Sequence, residues 1–284
     1  MAHFFGDSFS RDSLIGFLAA EKSGKSMMLL DIAWRAVREK HKVAFFEVGD
    51  MSQNQVMLRL MAHITGIPKK HGRYKYPTSL RVDRKHNVEI SHDERKIKEG
   101  EELSADDAIS ECRKLLKKHG DNEFFRLSVH PNNSIGVLGI ESRLDMWERS
   151  GWMPDVIVID YADLLIPPNT RQEKRYQVDE TWKQLRGLSQ SRHCLVVTAT
   201  QADAASYRAK ILDKSNFSES KTKLAHVTGM IGINASQSDR DKYIRRLNWI
   251  VRREAEYNEL ECLYIAGCLA MCRPMILGFL LTVH

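Results

Sequence analysis

The chain has 284 residues, 43% hydrophobic and 28% charged, which suits one large globular core or two small ones and excludes fibrous and disordered classes. A formal net charge of +6 and a pI near 9.0 lean towards an acidic partner. Five cysteines (Cys112, Cys194, Cys262, Cys268, Cys272) without CxxC spacing argue against a zinc site or disulfide framework and for a reducing, cytoplasmic compartment. No basic segment with an apolar run follows Met1, and the apolar stretch at 274–283 is too short to span a bilayer, so no membrane is expected.

Leu14 to Ala19 reads as a buried strand. The chain then breaks into a loop, Ala20, Glu21, Lys22 and Ser23, that closes on Gly24-Lys25-Ser26. An amphipathic helix opens there, through Met28, Leu29, Ile32, Ala33, Ala36 and Val37. A-x-x-x-x-G-K-S between strand and helix is a phosphate-binding pattern, with Ala19 where a glycine is usual. Backbone N–H groups from Ala20 to Met27 would wrap an anion at the positive end of the helix dipole. Gly24 permits close approach, Lys25 reaches the outer phosphates, and the Ser26 hydroxyl can ligate magnesium. The pattern predicts a bound nucleoside triphosphate; a polar turn is the bland alternative.

A second strand at 43–48 leads through a Gly49-Asp50-Met51 turn into a helix started by the capping box Ser52-x-x-Gln55 and stopped by Gly66 and Pro68. Two strand–helix units in succession predict a parallel, doubly wound sheet. From Lys69 to Glu102 charge is high and apolar periodicity is lost. This stretch reads as a solvated insertion or mobile loop within one domain covering 1–284, its basic first half being a lesser candidate for touching nucleic acid. A helix capped by Ser104 and ended by Gly120, a strand at 124–129 and a helix at 140–149 follow.

DVIVIDY at 155–161 has four consecutive apolar residues, which suits a strand buried on both faces. Asp160 then falls at the carboxyl end of that strand, where parallel sheets hold ligands, and reads as the metal-holding carboxylate of a Walker B strand. The strand at 194–200 ends in Gln201, placed to sense a terminal phosphate or only to cap a loop. Two basic stretches, 166–176 and 206–224, follow these strand tips. Arg171, Lys174 and Arg175 in the first, with Arg208, Lys210, Lys214, Lys221 and Lys223 in the second, are candidates to neutralise a nucleic-acid backbone. Tyr207 and Phe217 offer stacking faces. Two solvated, mobile loops are the alternative. Strands at about 246–253, 260–266 and 275–283 close the chain.

Five stretches in this order resemble the RecA-type ATPase core: AAEKSGKS at 19–26, VAFFEVGDMSQNQVMLRL at 43–60, VIVIDYADLL at 156–165, VVTATQAD at 196–203 and IVRRE at 250–254. More narrowly they look like the motor domain of DnaB-type replicative helicases, stand-alone phage versions included. The likeness covers about residues 14–255, apart from 69–102. It implies an α/β, RecA-like P-loop NTPase core with a mostly parallel twisted sheet flanked by helices, binding ATP with Mg2+. Residue by residue it puts Lys25 and Ser26 on phosphate and magnesium, Asp160 on the metal, and Gln201 between the terminal phosphate and the DNA-binding loops.

The family's catalytic base is a glutamate just before a Met-Ser pair. Here Asp50 precedes Met51-Ser52 and Glu47 stands three residues earlier, and Asp50 is preferred. Basic residues on a late strand of the family reach the neighbouring subunit's nucleotide. Arg252 and Arg253 fall there without the family's Lys-x-Arg spacing, and Arg253 is preferred. The family's helical amino-terminal domain has no counterpart here, so a stand-alone motor is expected. The resemblance implies a homo-oligomeric ring, a hexamer being one form, that moves on single-stranded DNA with other replication proteins of a phage or mobile element. Two alternatives stay open: a recombination-type filament ATPase on single strands, and a nucleotide-switched regulator or loader that does not unwind.

Overall fold

The computed structural model describes residues 2–82, 88–120, 122–207, 209–217, 220–268, 273–275 and 280–282. Its first half runs α1 (Ala2–Phe5), β1 (Leu14–Ala19), α2 (Lys25–Arg38), β2 (Val43–Gly49), α3 (Gln53–Thr65), β3 (Gly72–Val82), β4 (Val88–Ile97), α4 (Ala105–His119) and β5 (Phe125–Pro131). The second half begins with α5 (Val137–Arg149), β6 (Val156–Asp160), a 3-10 turn at Ala162–Leu164, α6 (Lys174–Ser191) and β7 (Leu195–Gln201). A 3-10 turn at Ala204–Tyr207 leads to α7 (Lys223–His226), β8 (Gly229–Asn234), α8 (Gln237–Asp241), β9 (Ile244–Arg252), β10 (Glu261–Cys268), β11 (Arg273–Met275) and β12 (Leu280–Thr282).

One large sheet has the order β11-β10-β9-β8-β1-β7-β6-β2-β5, with β12 also paired to β10. From β8 to β5 neighbouring strands are parallel, while β9, β10 and the short β11 and β12 pair antiparallel and finish that side. The sheet is therefore the mostly parallel, helix-flanked α/β layer that the motif order predicts. The apolar runs of β1, β2 and β6 follow from cover on both faces. Leu14, Leu18, Phe46 and Ile159 pack with Leu144, Trp182 and Leu185 of α5 and α6. Ile15, Phe17, Phe45 and Val158 pack with Met28, Leu29 and Val56 of α2 and α3. Each such side chain contributes about 1.5–3 kcal/mol on leaving water.

The segment at 69–102 is not a mobile loop. β3 and β4 pair antiparallel from Gly72↔Ile97 to Val82↔Val88. Arg73, Lys75 and Arg81 are exposed while Tyr76 and Leu80 are buried, an alternation interrupted by an irregularity between Pro77 and Ser79 and hidden by charge. Cross-strand neighbours such as Lys75↔Glu94 and Arg81↔Glu89 balance that charge, and the Arg95 guanidinium lies 4.9 Å from the Tyr76 ring. The hairpin lies beside β10, with the His92 ring 5.8 Å from that of Tyr243.

The stretch after β7 is also built rather than loose. Ala202 bridges Phe217, Leu212 and Phe217 are buried, and the Leu212 N–H donates to Asn234 Oδ1 at 2.6 Å. The described part of the strand expected at 275–283 is two short pieces on β10; residues 276–279 and 283 lie outside the described residues. No helix among the described residues is long and apolar enough to cross a membrane.

Candidate nucleotide-binding site

Parallel strands end on one side, so the tips of β1, β2, β6 and β7 meet at a common edge. Ala19 is in register with Gln201, and Glu47 with Asp160. A cavity of about 410 Å³ opens at this edge, lined by Glu21, Lys22, Gly24, Lys25, Ser26, Met27, Leu30, Asp50, Arg59, Lys69, Tyr161 and Gln201. Ala20 and Ser23 are buried beneath it and shape the loop, whose Ser23 N–H donates to Ala20 O at 3.3 Å. Gly24 has φ +104°, left-handed backbone that glycine adopts without strain, and it turns the chain into α2. The Lys25 ammonium donates to Ala19 O and Ala20 O, both at 3.2 Å. Burial lowers its pKa, opposed by the charges of Asp163, Asp160, Asp50 and Glu21.

Asp160 is buried at the tip of β6 and its carboxyl is pushed up to about 6, chiefly by burial, while a hydrogen bond from the Ser26 side chain works the other way. Its Oδ2 is buried without a hydrogen-bond partner among the described residues. A buried carboxylate oxygen of this kind is costly unless something cationic meets it. Paired with the Ser26 hydroxyl at the mouth of a phosphate loop, it fits Mg2+, which asks for one or two protein oxygens and takes its other ligands from phosphates and water. No cluster of three His, Cys, Asp or Glu side chains suited to a metal occurs among the described residues.

The two candidate bases are separated by burial. Asp50 is exposed and lines the cavity, held out by Gly49 at φ +95°. Glu47 is fully buried, accepts the Met51 N–H at 3.0 Å, and its carboxyl is pushed up to about 8 by burial and then by Asp160. Glu47 thus braces the turn that carries Asp50. Gln201 is half-buried at the cavity wall.

Arg252 and Arg253 lie elsewhere. β9 runs antiparallel to β8 and pairs Arg252 with Gly229, so both arginines sit at the edge opposite the cavity. They are not without intrachain partners. Arg252 donates to Ser8 Oγ at 2.9 Å and Phe5 O at 3.3 Å and lies 5.2 Å from the Trp249 ring. Arg253, exposed, donates to Leu224 O and Ala225 O. The other end of β9 brings Arg245 to the phosphate loop, where its Nε donates to Ser23 O at 3.1 Å.

Among the candidate nucleic-acid contacts, Arg171, Lys174 and Arg175 are exposed around the start of α6, and Lys210 and Lys221 are exposed on the second stretch. Lys214 is exposed but paired with Glu259 at 2.9 Å. Lys223 is a correction: its side chain has 0% exposure and pairs with Asp163 at 2.8 Å, so it cannot meet a strand. Phe217 is likewise buried and offers no stacking face. Arg208 and the Tyr207 side chain lie outside the described residues. Sequence reading missed Arg59, Lys69, Arg245 and Asp163. Arg59 and Lys69 look like ordinary surface cations in the sequence, and only the path of α3 and its exit brings them to the cavity.

No family model matches the chain, and a search of curated proteins finds no match. Solved structures do match. One, described as an ATPase domain, superposes with a TM-score of 0.71 at 13% identity, covering 94% of this chain and 85% of that one. A DnaB-like replicative helicase, from work on its interactions with primase, superposes with a TM-score of 0.69 at 12% identity, covering 94% of this chain and 58% of that one. The chain therefore spans little more than half the length of that helicase. Strand order, phosphate loop and superpositions agree: the chain shares the α/β fold of the ATPase domain and the DnaB-like helicase that it superposes on.

Proposed function

We propose that the chain is an ATP-hydrolysing motor of the DnaB-like helicase kind, acting on single-stranded DNA as a homo-oligomeric ring. The observation that carries this reading is the orphaned Asp160 oxygen beside the Ser26 hydroxyl, under a loop whose glycine turn and lysine suit phosphate. Ser26 and Asp160 would hold Mg2+, which when bound neutralises charge on the phosphoryl oxygens. Lys25 leaves the loop carbonyls for the outer phosphates and stabilises the charge that develops on transfer. Asp50, open to the cavity, takes the proton of the attacking water, and Glu47 keeps the turn in place. Gln201 meets the terminal phosphate from the β7 tip. Arg253, exposed on the opposite edge, serves a neighbouring subunit, and the cations at 171–175 with Lys210 and Lys221 line the strand path.

The burial of Lys223 and Phe217 and the pairing of Lys214 leave fewer groups available to a strand, and this favours the nucleotide-switched regulator as the second reading. Measurement of ATP turnover with and without oligo-dT, and of unwinding of a forked duplex, separates the two. The motor reading expects stimulation and unwinding, with both lost in Lys25→Ala. Turnover in Lys25→Ala equal to that of the unaltered protein overturns the site assignment, and turnover indifferent to single strands overturns the motor.

A further inference from the structure

The stretch 202–222 leaves the sheet at the tip of β7 and returns at α7, and a single carboxylate holds both of its ends. Asp163 Oδ2 accepts hydrogen bonds from the Gln201 N–H at 3.0 Å and the Thr200 hydroxyl at 2.7 Å. Its Oδ1 accepts from the Lys223 ammonium at 2.8 Å, which also donates to Thr200 Oγ1 at 2.6 Å. The Asp163 side chain is 10% exposed and that of Lys223 not at all, with the Trp182 ring 5.7 Å from the ammonium. The turn bearing Asp163 is itself tied to β7, since the Ala162 N–H donates to Thr198 Oγ1 at 3.0 Å.

A buried ion pair is a poor way to gain stability, because an apolar side chain of similar volume often serves as well. Its use here asks for another reason. Asp163 stands three residues after Asp160 in the chain, its charge acts on Lys25, and the Gln201 it holds lines the nucleotide cavity. Between the two clasped ends, the Ala202–Phe217 bridge and the buried Leu212 and Phe217 bind the described residues of the stretch into one packed unit. A unit of this kind moves as a body rather than by bending, and it carries Lys210 and Lys221 exposed.

We propose that Asp163 is a positioning residue that clasps Gln201 and Lys223 together, so that a shift of the β7 tip on nucleotide binding moves the packed residues between them and resets their hold on a polyanionic strand. This rests on the reading of Gln201 as the phosphate-facing residue. The clasp is tested on the full chain by Asp163→Asn/Lys223→Met, which removes both charges at once. Amide hydrogen exchange over 202–222 is read with and without a non-hydrolysable ATP analogue and magnesium, beside turnover with and without oligo-dT. In the unaltered protein the analogue should slow exchange across the stretch; in the double variant, shown folded by a cooperative melt, it should not. The turnover ratio should fall by roughly 5-fold or more, the lower end of ordinary coupling between sites. If the double variant does not fold, Thr200→Val, which removes only the hydroxyl between the charges, takes the same readings. A folded variant whose stretch answers the analogue as the unaltered protein does overturns the clasp, as does an unaltered protein whose stretch ignores the analogue. Turnover indifferent to single strands sinks the motor reading alone, since the exchange result still decides the clasp.

Discussion

Exchanging each candidate carboxylate for its amide separates the base from its brace. Glu47 is buried with its carboxyl raised from 4.5 to about 8, and at about 1.36 kcal/mol per pH unit ionising it in place costs on the order of 5 kcal/mol more than in water. At pH 7 the metal-free protein therefore keeps Glu47 protonated. Glutamine reproduces that neutral shape and can still accept the Met51 N–H, so Glu47→Gln should change stability at pH 7 by no more than about 1 kcal/mol. The folded chain holds a proton that the unfolded chain releases above 4.5, so stability falls as pH rises from there towards 8. Glu47→Gln should flatten that decline. Asp50→Asn is different: nucleotide binding should persist while turnover drops about 10²- to 10⁴-fold, the ordinary contribution of a general base. Phosphate release, fluorescent-nucleotide binding and urea unfolding of metal-free protein at several pH values read all three effects. A Glu47→Gln protein that binds nucleotide but is inert, beside an active Asp50→Asn, refutes the assignment. Equal pH slopes in the unaltered protein and Glu47→Gln refute the burial argument.

Three further outcomes are expected. Lys210→Ala/Lys221→Ala should weaken binding to oligo-dT and lower the slope of log affinity against log salt by roughly 1 to 2, read by anisotropy. Gly49→Ala should lose at least about 1–2 kcal/mol from its positive φ, since a Cβ there also lies 3.1 Å from the Asn132 backbone, and turnover should fall with it because Asp50 is the next residue. His130 is held below its usual pKa by burial and by Arg143, so the folded chain resists its protonation. Stability should decline as pH falls below about 6.5, and His130→Gln should remove part of that decline in urea titrations at pH 5 and 7.

The nucleotide edge was legible because its chemistry and its periodicity coincide. A six-residue apolar strand, a GKS turn and an amphipathic helix leave little choice at 14–38, and VIVID fixes Asp160 at a strand tip in the same way. The hairpin at 72–97 was hidden because its outward residues are so charged that Tyr74, Tyr76 and Leu80 do not register as a face. Lys223 misled for a related reason. A lysine among polar residues reads as solvated, and only the fold brings the distant Asp163 and Trp182 to it. Glu47 and Asp50 differ by three positions in sequence and by complete burial in space, because Glu47 lies within β2, covered on both faces, while Asp50 lies just past its last residue in the turn.

β9 is a strut between two faces of the molecule. Its first residues grip the phosphate loop through Arg245, and its last is held by Ser8 and Phe5 through Arg252, a span of about 24 Å at the usual rise per residue. β10 pairs with its Ile244–Leu247 end and β8 with Arg246–Arg252, so the two neighbours together hold the strand from one end to the other. The phosphate loop and the Phe5–Ser8 segment are thus fastened to opposite ends of one continuous strand and share its frame.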